Sequence, residues 1–157
     1  MVAMPRALIR KVRTFAALPA FTKVWFIPAW MALGASRAVI LLVPFRTLAP
    51  RLGRTQGTAA RVPLLSDAQE SRAREIGRVV RLAARYTPWT SNCFPQAVVA
   101  RMLLGLHRIP YAIHFGVTSG HGDAPLQAHA WVVAGRVPVT GGDSFKRYTV
   151  VGVFGGP

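Results

Sequence analysis

The sequence predicts an α+β protein in which one buried helix, opened by the only cysteine, packs on an antiparallel sheet behind an N-terminal helical extension. Three observations predict it. Residues 93–106, CFPQAVVARMLLGL, are apolar on nearly every face, as in a helix enclosed by other elements. Short β-rich runs follow at 111–117, 128–134, 136–140 and 147–154. Ahead of them, a basic and apolar region at 1–55 is set apart from a core at 64–157 by a connector rich in Gly, Pro and Arg.

The elements follow in chain order. Residues 24–45, VWFIPAWMALGASRAVILLVPF, have roughly the 20-residue length of a membrane helix. A charge such as Arg37 in mid-span costs about 3 kcal/mol, and Pro28 removes a backbone donor. The expectation is an apolar helix, or a bent pair, packed on the rest of the protein or laid partly against a membrane surface. The start is basic over too long a stretch for a cleavable secretory signal. Ser66 with Gln69 three residues on reads as a capping box, and Asp67 suits a helix start. Ile76, Val79, Val80 and Ala83 then recur at helical spacing, with Arg72, Arg74, Arg78, Arg81 and Arg85 mainly elsewhere, so an amphipathic helix with a basic outer side runs to about Tyr86. Pro95 is acceptable within a first helical turn, which puts Cys93 at the start of the next helix. Ala134-Gly135 reads as a tight hairpin between two strands.

Composition narrows the function. With 157 residues, 52% of them hydrophobic, the chain can bury a sizeable core. One cysteine excludes an internal disulfide and a zinc cluster of the usual kind, which suits a cytoplasmic setting. There are 20 Lys and Arg against 5 Asp and Glu, a formal net charge of +15, most of it before Cys93. Such a field attracts nucleic acid, anionic lipid or acidic peptide. A non-catalytic basic module binding nucleic acid or anionic membrane is therefore one reading. Against nucleic acid, no aromatic residues interleave with the arginines of the amphipathic helix, and the rear unit would be left without a task.

The chemistry centres on the thiol. Cysteine is a nucleophile only as thiolate, and the unpaired N–H groups at a helix start stabilise that charge, which makes Cys93 the candidate nucleophile. A base must lie within reach. His107 sits at the far end of the same helix, roughly 20 Å away at 1.5 Å per residue. His121 falls in the Gly-rich loop TSGHGDAP, and His114 is mid-strand without a polar companion. His129, in QAHAWVV, opens a strand between two alanines and is the candidate base. Asp143 is favoured to orient the imidazole, with the Thr140 region and Asp123 as alternatives; Asp67, Glu70 and Glu75 lie on a solvated helix face. Trp89, Asn92 and Gln96 are candidates for the oxyanion site and the rim. No phosphate-binding glycine loop or metal-ligand spacing competes, so neither cofactor nor metal is expected. The set suits peptide hydrolysis or another acyl transfer through a thioester.

TPWTSNCFPQAVVARMLLGLHRIPYAIHFGV, followed by LQAHAWVVAGRVPVTGG and RYTVVGVFG, resembles the transglutaminase-like cysteine peptidases of lasso peptide biosynthesis, the stand-alone leader peptidases. The most specific parts are the W-x-S-x-C turn at Trp89, Ser91 and Cys93, the RIP turn, and AHAW; LLVPFRTLAPRLG is similar to the family's N-terminal helices. The resemblance implies a papain-like fold, attack by Cys93 on the bond joining leader to core in a ribosomally made precursor peptide, and His129 as base. It implies a leader-binding recognition protein in trans and a downstream ATP-dependent lasso cyclase as partners. The family usually carries an aspartate at the end of the strand after the histidine, where RVPVTGGD has Thr140 and glycines before Asp143.

Overall fold

A computed structural model describes residues 14–119 and 126–157. Helix α1 spans Ala20–Leu42, α2 Phe45–Leu52, α3 Asp67–Arg85 and α4 Cys93–Leu106. Strands β1 (Arg54–Thr55), β2 (Tyr111–Thr118), β3 (Gln127–Ala134), β4 (Val137–Thr140) and β5 (Thr149–Gly156) form one antiparallel sheet in the order β1-β5-β2-β3-β4. The expected α+β architecture is what the chain adopts.

Local chemistry accounts for the boundaries. Ser66 Oγ accepts from the Gln69 amide while the Gln69 side chain accepts from the Ser66 amide, so the predicted capping box starts α3. The α3 side that carries Ile76, Val79, Val80 and Ala83 is fully buried, and its arginines lie mostly outside. α4 begins at Cys93 with Pro95 inside its first turn, as the sequence requires. Gly135, at φ +56°, turns β3 into β4.

The sheet has two unlike faces. On β3, alternate residues Ala130, Val132 and Ala134 join Ile113 of β2 and Leu103 and Leu104 of α4 in the main core. His114, Trp131 and Val153 occupy the opposite face, where the His114 and Trp131 rings stack at 5.2 Å across the β2–β3 pair. Burial lowers the pKa of His114 from the ordinary histidine value of 6.5, with a hydrogen bond involving the Ala112 backbone opposing the shift.

Two sequence expectations change. The Gly-, Pro- and Arg-rich stretch RTLAPRLGRTQGTAARVPL, read as a connector, holds most of α2 and all of β1, because Leu52 buries into the core and its carbonyl accepts from Tyr111 Oη at 3.1 Å and Arg101 Nε at 3.3 Å. The front region and the rear unit also share one core: Ala29 and Leu33 of α1 are fully buried in it, and β1 pairs with β5. α1 is long and apolar enough to cross a membrane by length and composition, yet this face is committed to the protein.

At β4, a sheet edge, α3 lies against the strand. Arg81 Nη1 donates to the Val139 carbonyl at 2.7 Å, and a Cβ on Gly77 would stand 2.5 Å from that oxygen. Burial, and then the cation of Arg78, lower the pKa of Arg81. In a free helix Gly→Ala gains about 1 kcal/mol. Here overpacking against backbone costs about 1 to 3 kcal/mol, so Gly77→Ala is expected to lower the urea midpoint; a raised midpoint would show that α3 does not approach β4 this closely. A second expectation concerns pH. Because the folded pKa of His114 is depressed, its contribution to stability is present above pH 6.5 and is lost as pH falls from there toward the folded value. The drop in urea midpoint on acidification should shrink in His114→Phe, and an unchanged drop would exclude His114 as its source.

Candidate active site

The turn that presents Cys93 is held from both sides. Thr87 Oγ1 lies 2.9 Å from the Ala84 carbonyl, the Trp89 carbonyl and Ser91 Oγ, which folds residues 84–91 on themselves. From α1, Trp30 Nε1 donates to the Tyr86 carbonyl at 3.1 Å and Arg37 Nη1 donates to the Thr90 carbonyl. Within α4, Gln96 Nε2 donates to the Ser91 carbonyl at 2.8 Å. The helix therefore starts at one defined place.

Its first turn is open. Asn92 occupies the N-cap position, but its side chain makes no capping hydrogen bond. Gln96 N bonds back to the Asn92 carbonyl at 3.3 Å, and Pro95 has no N–H. The Cys93 and Phe94 amides are left as the unspent donors of the first turn, on the same backbone as a half-buried thiol.

His129 is the third residue of β3 and pairs with Gly116 of β2. Its ring lies between two aromatic rings, Trp131 at 5.8 Å and Tyr148 at 5.0 Å. Nε2 is 3.2 Å from the Gly141 carbonyl. A carbonyl only accepts, so Nε2 carries the proton in this contact, and the neutral ring then has its lone pair on Nδ1. Two glycines make the arrangement possible. A Cβ on Gly116 would stand 2.8 Å from Tyr148 Cβ and 2.9 Å from the Trp131 ring, and Gly141, at φ +93°, runs so close to Trp131 that a Cβ would collide with Trp131 Cβ.

Cys93 and His129 line one cavity of about 600 Å³. No hydrogen bond joins the thiol to the imidazole. The wall is largely apolar: Phe94 and Phe115 line it with Ile40 and Leu41 of α1, and Phe45 packs edge-on against Phe115 and tilted against Phe94. Asn92 lines the cavity. Trp89 and Gln96 do not line it. The Trp89 ring packs on Trp30 at 4.9 Å and lies 2.8 Å from where a Cβ on Gly34 would be, while the Gln96 amide is occupied by Ser91.

The Gly141 backbone carbonyl, two residues before Asp143, is one acceptor beside the imidazole. The Thr140 hydroxyl is buried with no partner among the described residues. Asp143 falls in the 3-10 helix Gly142–Arg147, described in backbone only, and Asp123 lies outside the described residues. Sequence reasoning missed the Gly141 carbonyl, Tyr148 and the α1 side of the cavity. A glycine pair directly after β4 is the one signal that could have pointed to a backbone partner. No group of three or more His, Cys, Asp or Glu able to hold a metal occurs among the described residues.

A sequence model described as Transglut_core3, Transglutaminase-like superfamily, matches residues 39–153. The match takes in Cys93, His129 and Gly141 and begins within α1. No curated protein and no solved structure matches the chain.

If the Gly141 carbonyl holds Nε2–H, that proton exchanges slowly enough to appear in nitrogen-correlated proton spectra. Gly141→Ala should abolish the resonance with the far-ultraviolet circular dichroism unchanged, whereas Tyr148→Phe should keep it. A resonance that survives Gly141→Ala would mean another group orients the ring.

Proposed function

The chain belongs to the transglutaminase-like superfamily, which generally includes cysteine peptidases, and from that premise we propose that it is the peptidase that removes the leader from a lasso precursor peptide. The observation that carries this reading is a thiol at an uncapped helix start lining the same cavity as an imidazole whose Nε2 faces a carbonyl. In the proposed reaction Nδ1 of His129 takes the Cys93 proton and Sγ attacks the carbonyl carbon at the leader–core junction. The amides of Cys93 and Phe94 stabilise the resulting oxyanion. The C–N bond breaks, the imidazolium gives its proton to the departing amine of the core peptide, and a thioester to the leader remains. Water then attacks the thioester, His129 accepts its proton, and the leader leaves with a free carboxylate as the thiol is restored.

Proton transfer needs Sγ and Nδ1 at hydrogen-bond reach, and catalytic contacts of this kind commonly tighten only with substrate bound. Precursor peptide entering the apolar cavity supplies that closure. A separate leader-binding protein delivers the precursor, and an ATP-dependent cyclase consumes the released core.

Purified chain, leader-binding protein and precursor, incubated together and read by mass, test the proposal. The expected products are a leader with a free carboxylate and an intact core. Cys93→Ala should abolish them, and His129→Ala should slow them by about 10² to 10⁴. Unchanged processing by Cys93→Ala would sink the peptidase reading, and a leader appended to an amine would reassign the chain to acyl transfer.

A further inference from the structure

The outward face of α1 has no protein partner among the described residues. Val24, Ile27, Met31 and Leu42 are 67%, 57%, 62% and 82% exposed, and with Ala35 and Ala38 they form one uncharged stripe at helical spacing. Its length is about 27 Å at 1.5 Å per residue. A continuous apolar surface of this extent marks a binding face.

The charge around it decides the occupant. Ten basic residues and no acidic one precede Asp67, Arg6, Arg10, Lys11 and Arg13 among them in sequence just before α1. Arg46, Arg51 and Arg54, beyond its other end, are exposed, and the ion pairs among the described residues, Arg72–Glu75 and Arg74–Glu70, both lie on α3. An apolar stripe with exposed arginines beyond one end and a basic run before it in sequence matches an anionic bilayer, which offers hydrocarbon to the stripe and phosphate to the cations.

We propose that α1 lies in the plane of an anionic membrane surface, with its outer stripe in the headgroup–acyl boundary. It does not span. Its inner face holds Ala29 and Leu33 in the core and anchors the Cys93 turn through Trp30 and Arg37, so withdrawing the helix into a bilayer would open the core. The docking also orients the cavity. Arg37, Ile40 and Leu41 are at once in the last turns of α1 and part of the wall around Cys93, and exposed Val151 lines the same cavity. The mouth therefore opens at the lipid–water boundary. This placement holds whichever acyl-transfer reaction the thiol performs.

Flotation of the full chain with vesicles tests it. The chain should float with phosphatidylglycerol–phosphatidylcholine vesicles, poorly with phosphatidylcholine alone, and less as salt is raised. Replacing Arg46, Arg51 and Arg54 with glutamine should weaken binding to the anionic vesicles roughly a hundredfold. Ile27→Glu with Met31→Glu should abolish flotation while circular dichroism stays unchanged, and Cys93→Ala should float like the parent. Failure of the parent to float with anionic vesicles overturns the proposal. So does resistance to alkaline carbonate extraction, which means insertion, or a dimer in vesicle-free solution that the two glutamates dissociate, which assigns the stripe to a second copy.

Discussion

The hold of α1 on the turn before Cys93 is the constraint on which the rest of the structure depends. A helix start is electrostatically useful only if it points at a fixed place, and the first turn of α4 has no side-chain cap of its own to define it. Definition comes from outside. Trp30 and Arg37 take the Tyr86 and Thr90 carbonyls, Trp89 packs against Trp30 over Gly34, and Thr87 closes the turn from within. Leaving the cap unmade keeps two amides available beside the thiol. Spending hydrogen bonds on the preceding carbonyls keeps those amides in position.

On the opposite wall, sheet register does similar work. One face of β3 is given to the core through Ala130 and Val132, so the alternate residues His129 and Trp131 share the other side. Glycine at 116 and 141 lets aromatic rings and backbone close in around the imidazole. The ring is oriented by packing and by a carbonyl, which fixes a tautomer without placing a carboxylate in the described part of the site. A one-residue slip of β3 would turn His129 and Trp131 together to the other face and remove the contacts with Tyr148 and Gly141.

The surface adds a relation between chemistry and location. The helix that pins the Cys93 turn on its inner side carries on its outer side an apolar stripe without a protein partner among the described residues, and its last turn borders the cavity. One element thus couples the position of the thiol, one wall of the cavity and the surface proposed to meet a membrane. Mean hydropathy alone does not separate this arrangement from a membrane span. The hydrogen bonds and core contacts of the inner face are what the proposed surface docking rests on.

Much was legible in the chain itself. The capping box at Ser66, the all-round apolar character of 93–106, the alternation in AHAWVV and the glycine at the hairpin follow from local propensity and periodicity, which neighbouring residues determine. The one thiol was also plain, and His129, singled out among four histidines, lines the cavity beside it. What only tertiary structure decided are contacts between residues far apart in sequence: Leu52 with Tyr111, Gly77 with Val139, His129 with Gly141, and α1 with the Cys93 turn. Trp89 was read as a rim residue because it is near Cys93 in sequence, and it packs away because its indole buries surface by covering Gly34 and Trp30. Sequence order carries periodicity and capping, but not which backbone carbonyl a distant ring will find. That depends on how closely the layers approach, and here glycines and the register of β3 set the distance.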